Sequence, residues 1–316
     1  MNLSQICEKL KLEESVAIFC HIRPDGDTIG SAVALKLGLE KLGIFSVVFC
    51  HDQISKRFFF LPQVKQIKNV FEGEFSACVA IDCADVSRLG DFGLLFSKHK
   101  NTYSIDHHIS NLGYAKYNYN VDKASNSENV LDVLETLGVE IDKEIASCLA
   151  LGIVTDTGNF KHSNVNENTL YYASKMVKAG ANMNEIVYNT FTKQSKARAK
   201  LFGTVMSKIR YFINDKVAIA TIFKKDLLES GAEKDETEGF IDFIMGIDCV
   251  EVGACVMQID ENKFKISLRS KKANVNAVAS AFGGGGHILA SGCQINSEYE
   301  DVIDRLVFAI SREIEE

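Results

Sequence analysis

Long apolar runs, paired cysteines, prolines and an excess of basic charge are what this 316-residue chain has little of. No apolar stretch approaches the roughly 20 residues that a membrane-spanning helix needs, so no membrane partner is expected. The first fourteen residues show no basic stretch followed by an apolar one. No secretory signal is read there, and a cytoplasmic protein is expected. The nine cysteines include no CxxC pair, and their number is odd. Most lie inside apolar runs, as Cys20, Cys50, Cys78, Cys148 and Cys255 do. That argues against a disulfide framework and for small buried hydrophobes in a reducing compartment. A net charge of −7 argues against coating of long duplex nucleic acid, which calls for a basic face. It leaves room for short phosphorylated ligands held by a few placed cations. Only two prolines occur, one of them Pro24, and there is no internal repeat or low-complexity tract.

The length points to two domains with sizeable cores. Strand patterns at residues 16–20, 45–50, 77–81 and 102–105 alternate with helical patterns at 30–42, 127–137, 143–154 and 168–179. Such alternation predicts an α/β domain with a parallel sheet covered on both faces. Residues 184–210 read as a polar helical linker whose basic residues form a solvated face. A smaller α/β domain follows from residue 211. It has strands at 217–223, 251–258 and 263–269, a helix at 276–282 and a closing amphipathic helix at 299–314.

Four acidic-histidine segments are spread over the first half of the chain. They are His21-Ile22-Arg23-Pro24-Asp25-Gly26-Asp27, Asp82, Asp106-His107-His108, and Asp156 before Thr157-Gly158. Three of them end apolar, β-branched runs, where open α/β sheets place their ligands. Taken singly, each residue has a plain structural explanation: an aspartate before glycine is a turn residue, and a histidine ending a strand is a satisfied polar group. Taken together, so many carboxylates would repel one another unless cations held them ionised. Carboxylates mixed with imidazoles suit a borderline divalent ion such as Mn²⁺ better than Ca²⁺. Asp25 and Asp27, on a loop leaving a strand, can face a common centre from two sides. A carboxylate such as Asp82 can bridge two ions. Two ions roughly 3.5–4 Å apart clamp an in-line displacement at phosphorus and acidify a bridging water.

In the second domain, Gly283-Gly284-Gly285-Gly286-His287 follows a helical pattern, and Arg269 and Ser270 end a strand. Glycines let backbone N–H groups approach a phosphate, and arginine binds one in bidentate fashion. Apolar flanks, Phe282 and Ile288-Leu289-Ala290, favour an ordered phosphate-binding turn over a flexible linker.

These segments resemble the DHH phosphoesterase superfamily, whose motif is seen here as Asp106-His107-His108. Similar too are His21 to Ser31, Asp82-Cys83-Ala84-Asp85 with Arg88, Ser110-Asn111, and Asp156-Thr157-Gly158 with Phe160. The second domain resembles the DHHA1 type through residues 267–270 and 283–287, and the layout is similar to the NrnA-type oligoribonucleases. The resemblance implies a DHH catalytic domain over 1–183, a linker over 184–210 and a DHHA1 substrate-binding domain over 211–316. It implies two divalent ions, Mn²⁺, one held by His21, Asp25 and Asp82, the other by Asp27, Asp82, His107 and Asp156. Asp106, His107 and His108 are implied as catalytic: Asp106 would orient a histidine, and His108 would face the scissile phosphate. Arg269, Ser270, Gly283, Gly284, Gly285, Gly286 and His287 would hold the substrate's terminal phosphate.

The implied activity is hydrolysis of short single-stranded RNA to mononucleotides, and of pAp to AMP. A phosphodiesterase of pApA, pGpG or cyclic-di-AMP is the runner-up, and a nucleotide-binding sensor without turnover is the reading from another class. A family pyrophosphatase would lack the 283–287 segment. Oligomeric state is not read from the chain, and a homodimer is compatible with it.

Overall fold

The computed structural model describes residues 1–314, which form two compact units dividing between Lys193 and Gln194. The division lies inside the 184–210 segment. Among the described residues no helix is long and apolar enough to cross a membrane.

The first unit runs α1 (Leu3–Leu10), β1 (Ser15–Phe19), α2 (Gly26–Lys41), β2 (Phe45–Phe49), β3 (Ala77–Ile81), α3 (Gly93–Lys98), β4 (Thr102–Asp106), β5 (Tyr117–Asn120), α4 (Asn126–Leu137), α5 (Lys143–Asp156), α6 (Glu167–Lys178) and α7 (Met183–Val187). Its five strands are parallel, in the order β2-β1-β3-β4-β5. Ile18 is in register with Val48 on one side and Val79 on the other, and Ala80 with Ser104. The apolar runs of β1, β3 and β4 are buried on both faces, as a parallel sheet under helices requires. One face packs on α1, α2, α4 and α5, and the other on the aromatic cluster of Phe19, Phe49, Phe92 and Phe96. Strand order reverses between β1 and β3, so a crevice opens beyond their carboxyl ends.

Two departures from the sequence reading lie beside the acidic-histidine segments. The helix after β1 begins at Gly26 rather than residue 30, because Asp25 caps it with bonds from the backbone N–H groups of Asp27 and Thr28, both 3.0 Å. Asp25 and Asp27 therefore stand on a helix cap and first turn, not on a loop. The second departure is β5, Tyr117-Asn118-Tyr119-Asn120, a half-buried edge strand without the aliphatic run that marks the others.

Helices α2 and α5 approach closely. A Cβ on Gly30 would stand 2.2 Å from the Cys148 carbonyl oxygen, and one on Gly152 would stand 2.3 Å from the Asp27 carboxylate. Glycine at both positions brings the first turn of α2 against the last turns of α5, which end in Asp156.

The second unit runs α8 (Lys196–Met206), β6 (Arg210–Phe212), β7 (Val217–Ile222), α9 (Lys224–Ser230), α10 (Phe240–Met245), β8 (Val252–Asp260), β9 (Lys263–Ser270), α11 (Val275–Ser280), β10 (Gly285–His287), β11 (Ala290–Asn296) and α12 (Tyr299–Ser311). Its mixed sheet has the order β10-β11-β9-β8-β7-β6. Phe264, Ile266 and Leu268 of β9 pack toward α11 and α12, while Ala218, Ala220 and Cys255 pack toward α8 and α10. With the parallel five-stranded sheet of the first unit, this is the α/β fold expected from the sequence.

Candidate active site

His21, Asp25, Asp27, Asp82, His107, His108 and Asp156 come together beyond the carboxyl ends of β1, β3 and β4 and at the facing ends of α2 and α5. Two groups have ligand atoms close enough to share an ion: His21, Asp25 and Asp82, and Asp27, His107 and Asp156. Asp82, His107 and His108 form a third such set.

Asp82 stands between the first two groups. Its Oδ2 lies 3.6 Å from His21 Nε2, and its Oδ1 lies 3.3 Å from His107 Nε2. His21 Nε2 is 3.7 Å from Asp25, and His107 Nε2 is 3.5 Å from Asp156. Asp82 is buried, and Thr28 Oγ1 donates to its Oδ2 at 2.6 Å. Its Oδ1 is buried without a hydrogen-bond partner among the described residues. A buried carboxylate oxygen without a donor is costly, and a cation offsets that cost. The residue also holds a left-handed backbone, φ 55°, a conformation that asparagine and aspartate tolerate better than bulkier side chains do.

Asp27 is fully buried and held from a distant part of the chain. Its carboxylate accepts from the backbone N–H groups of Asn126 at 2.5 Å and Ser127 at 2.9 Å, and from Ser127 Oγ at 2.8 Å. Those N–H groups open α4, so the helix end supplies donors and favourable dipole to the carboxylate.

His21 and His107 each present Nε2 because a carbonyl lies at Nδ1. Ile22 O lies 2.7 Å from His21 Nδ1, and Lys123 O lies 3.0 Å from His107 Nδ1. His108 differs. Its Nδ1 donates to Asp106 Oδ1 at 2.7 Å, leaving Nε2 free on a ring one-third exposed. Asp106 is fully buried and takes a second bond, from Asn111 Nδ2 at 2.7 Å. The histidine that Asp106 orients is therefore His108.

The charges show what such crowding does without cations. Burial, then the Asp27 and Asp82 charges, raise the Asp156 carboxyl to about 10. Burial and Asp82 raise Asp27 to about 7. Burial alone would lower the His21 and His107 imidazoles, but neighbouring aspartates outweigh it, raising them to about 10 and about 11. Burial would raise Asp82, yet the two histidines hold it well below the usual carboxylate range. Protons thus stand in for positive charge in the group. The donor set, nitrogen and oxygen with one orphaned buried oxygen, fits divalent ions.

Sequence reasoning missed Thr28, Ser127, Asn126 and the Lys123 carbonyl as supports of the ligands. Thr28 lies inside the first motif, so its neighbours offered a signal; the other three do not, because only the tertiary fold brings them near. His162 places Nδ1 3.1 Å from the Asp156 carbonyl oxygen and packs on Gly158.

In the second unit, β9, β11 and β10 place Arg269, Ala290 and His287 in one cross-strand row. Arg269 and His287 therefore share a face of the sheet. Ser270 is buried, on the side of the sheet facing α11 and α12, and its hydroxyl accepts from the Lys272 N–H at 3.0 Å. The glycine run is half turn and half strand, since Gly285 and Gly286 belong to β10. A Cβ on Gly284 would stand 2.3 Å from the Gly292 carbonyl oxygen, and one on Gly286 would stand 2.6 Å from that of Ala290. Close packing on β11 thus accounts for those two glycines. Gly283, at φ 73°, has open space around it.

Known proteins agree with this architecture. The DHH family N-terminal domain matches residues 15–153, and the DHHA1 domain matches residues 214–316. The chain is 27% identical to a "Bifunctional oligoribonuclease and PAP phosphatase NrnA" of Thermus thermophilus, over 98% of this chain and 93% of that one. It is 25% identical to the protein of the same name from Bacillus subtilis, over 96% of each. Among solved structures, an exopolyphosphatase-related protein from Bacteroides fragilis superposes with a TM-score of 0.88 at 23% identity, covering 98% of this chain and 95% of that one. That likeness shows the shared fold. With the two domain matches spanning most of its length, the chain belongs to the DHH family, with a DHHA1 domain behind the DHH domain, and is a metal-dependent phosphoesterase of the hydrolase class.

Proposed function

We propose that this protein hydrolyses short oligoribonucleotides of two to five residues to mononucleotides, and pAp to AMP, in the cytoplasm. The carrying observation is the Asp82 carboxylate, one oxygen turned to His21 and the other to His107. In this reading Asp82 would serve two ion groups: His21, Asp25 and Asp82 would hold one ion, and Asp27, Asp82, His107 and Asp156 the other. The mixed imidazole and carboxylate donors favour Mn²⁺. When bound, the ions supply Lewis-acid activation of the phosphoryl group and of the attacking water.

The chain's own residues do the rest. Thr28 fixes the rotamer of Asp82, and the N-terminus of α4 fixes Asp27, so the ligands are held before substrate arrives. His108, anchored through Nδ1, turns Nε2 outward. From there it donates to the scissile phosphate or to the leaving oxygen, and the Asp106 carboxylate balances the imidazolium. Arg269, His287 and the glycine segment 283–286 bind the terminal phosphate of the substrate, and Ser270 shapes the strand end that carries Arg269. The relatives named as oligoribonuclease and PAP phosphatase support this choice of substrate.

Product analysis with Mn²⁺ tests it. A 5′-phosphorylated RNA dinucleotide, a 24-mer, pAp, cyclic-di-AMP and pyrophosphate would be supplied separately. Mononucleotide release from the dinucleotide far faster than from the 24-mer, with AMP from pAp, is expected. An inert dinucleotide beside rapid cyclic-di-AMP or pyrophosphate cleavage would replace the substrate assignment. No turnover of any of them would point to a sensor.

A further inference from the structure

We infer that Lys123 is a positioning residue for the ion group containing His107, acting through its own backbone carbonyl. The inference rests on the two-ion reading above. Lys123 O is the group that meets His107 Nδ1, at 3.0 Å, and so sets the ring's tautomer and the aim of Nε2. The segment that carries it lies between β5 and α4 and has no regular secondary structure. A carbonyl on such a segment orients a ligand only if the segment itself is fixed.

Two anchors fix it. The first is Asn129 of α4, whose Nδ2 donates to the Val121 carbonyl at 2.8 Å and to the Asp106 carbonyl at 2.9 Å. It ties the start of the segment to the strand end that bears the histidines. The second is the Lys123 ammonium. It is largely buried and reaches the Asp132 carboxylate, the Tyr172 hydroxyl at 2.9 Å and the Glu128 carbonyl at 3.2 Å. Asp132 is in turn held by Tyr172 Oη at 2.7 Å and by Tyr119 Oη at 2.9 Å. The ammonium also lies 4.6 Å from the Tyr172 ring centroid. One residue thus binds α4 and α6 with its side chain and His107 with its backbone.

An ion pair that only steadied the fold would need no contact with His107. Partners that orient a ligand histidine set metal affinity, and their loss typically costs about 10- to 100-fold. Removing the ammonium leaves the segment tied by Asn129 at its start and by Asn164 at Ala124, with Lys123 between them no longer anchored by its side chain, and its carbonyl is freer to leave His107.

Mn²⁺ titration of the whole protein, read by calorimetry and by the electron paramagnetic resonance of the bound ions, tests this without turnover. Wild type is expected to take two ions. Lys123→Met is expected to keep the ion at His21, Asp25 and Asp82, and to weaken the other by about 10- to 100-fold. Lys123→Arg, which keeps the charge, is expected to recover part of that loss. Two unchanged ions in Lys123→Met beside a lowered Tm would show a purely structural ion pair and overturn the inference. Should Lys123→Met fail to fold, Tyr172→Phe decides. It removes one hydroxyl, and an affinity equal to wild type in it would overturn the inference. Wild type that binds no Mn²⁺ would overturn the two-ion reading itself.

Discussion

His108 gives its Nδ1–H to the Asp106 carboxylate at 2.7 Å, and Asp106 is shut off from solvent. The carboxylate therefore sets which nitrogen of His108 faces outward. Asp106→Asn preserves the shape but offers an amide that can donate, and so turns the tautomer. Activity is expected to fall about 10²- to 10⁴-fold, the usual worth of a positioned acid or base. Bound metal should stay at the wild-type level, because Asp106 touches neither ion group. Kinetics beside metal analysis checks both; loss of metal in this variant would contradict the assignment.

Asp82→Ala removes both oxygens that face the two groups. Activity is expected to disappear, and metal content to fall at both groups. Asp25→Ala, by contrast, should deplete only the ion shared with His21. Metal analysis of the two variants separates a bridging carboxylate from a local one. An active, fully loaded Asp82→Ala protein would end the bridging assignment.

Arg269→Ala is expected to raise KM for substrates with a 5′-phosphate by roughly 10- to 1,000-fold, the range for one lost charged contact. Cleavage of bis-p-nitrophenyl phosphate, which has no terminal phosphate, should change little. Equal losses on the two substrates would remove the terminal-phosphate role.

Metal removal should make stability depend on alkaline pH. Without cations, the His21 imidazole is raised from 6.5 to about 10 by Asp25 and Asp82 against the effect of burial. Its contribution is complete below about pH 6.5 and is lost as pH rises through 10. Asp156 is raised by burial from 3.8 to about 10, so it lowers stability progressively from about pH 4 up to pH 10. Asp82, held low, changes only in acid and does not enter this window. Chelated protein is thus expected to lose Tm from about pH 4 to 10, most steeply above about pH 6.5, where His21 and Asp156 act together. Mn²⁺-loaded protein should stay nearly level, because the ions keep the aspartates charged throughout. Parallel Tm curves for the two forms would refute the shared ion groups.

Much of the candidate cluster was legible because it follows strands that announce themselves. The apolar runs of β1, β3 and β4 end at the motifs, so the register alone carries His21, Asp82 and His107 to one edge. Supports supplied by distant backbone left no mark. Nothing in Asn126 and Ser127 reveals that their N–H groups serve Asp27, and nothing near Lys123 in sequence marks its carbonyl as the partner of His107. Strand β5 escaped notice because tyrosine and asparagine alternate there without aliphatic residues. The second half of the glycine run likewise read as turn, although Gly285 and Gly286 pair with β11.

The bond from Ser127 to Asp27 closes a loop of 100 residues. Loop closure of that size carries a substantial entropic cost, which grows only slowly with further length. Here the cost is met in building the fold, by hydrogen bonds that exist whether or not a cation is near. Asp27 therefore waits in place as a finished half of a cradle, and an arriving ion has little chain to order. Exchange of ions should then be governed by how fast they shed water rather than by how fast the protein rearranges.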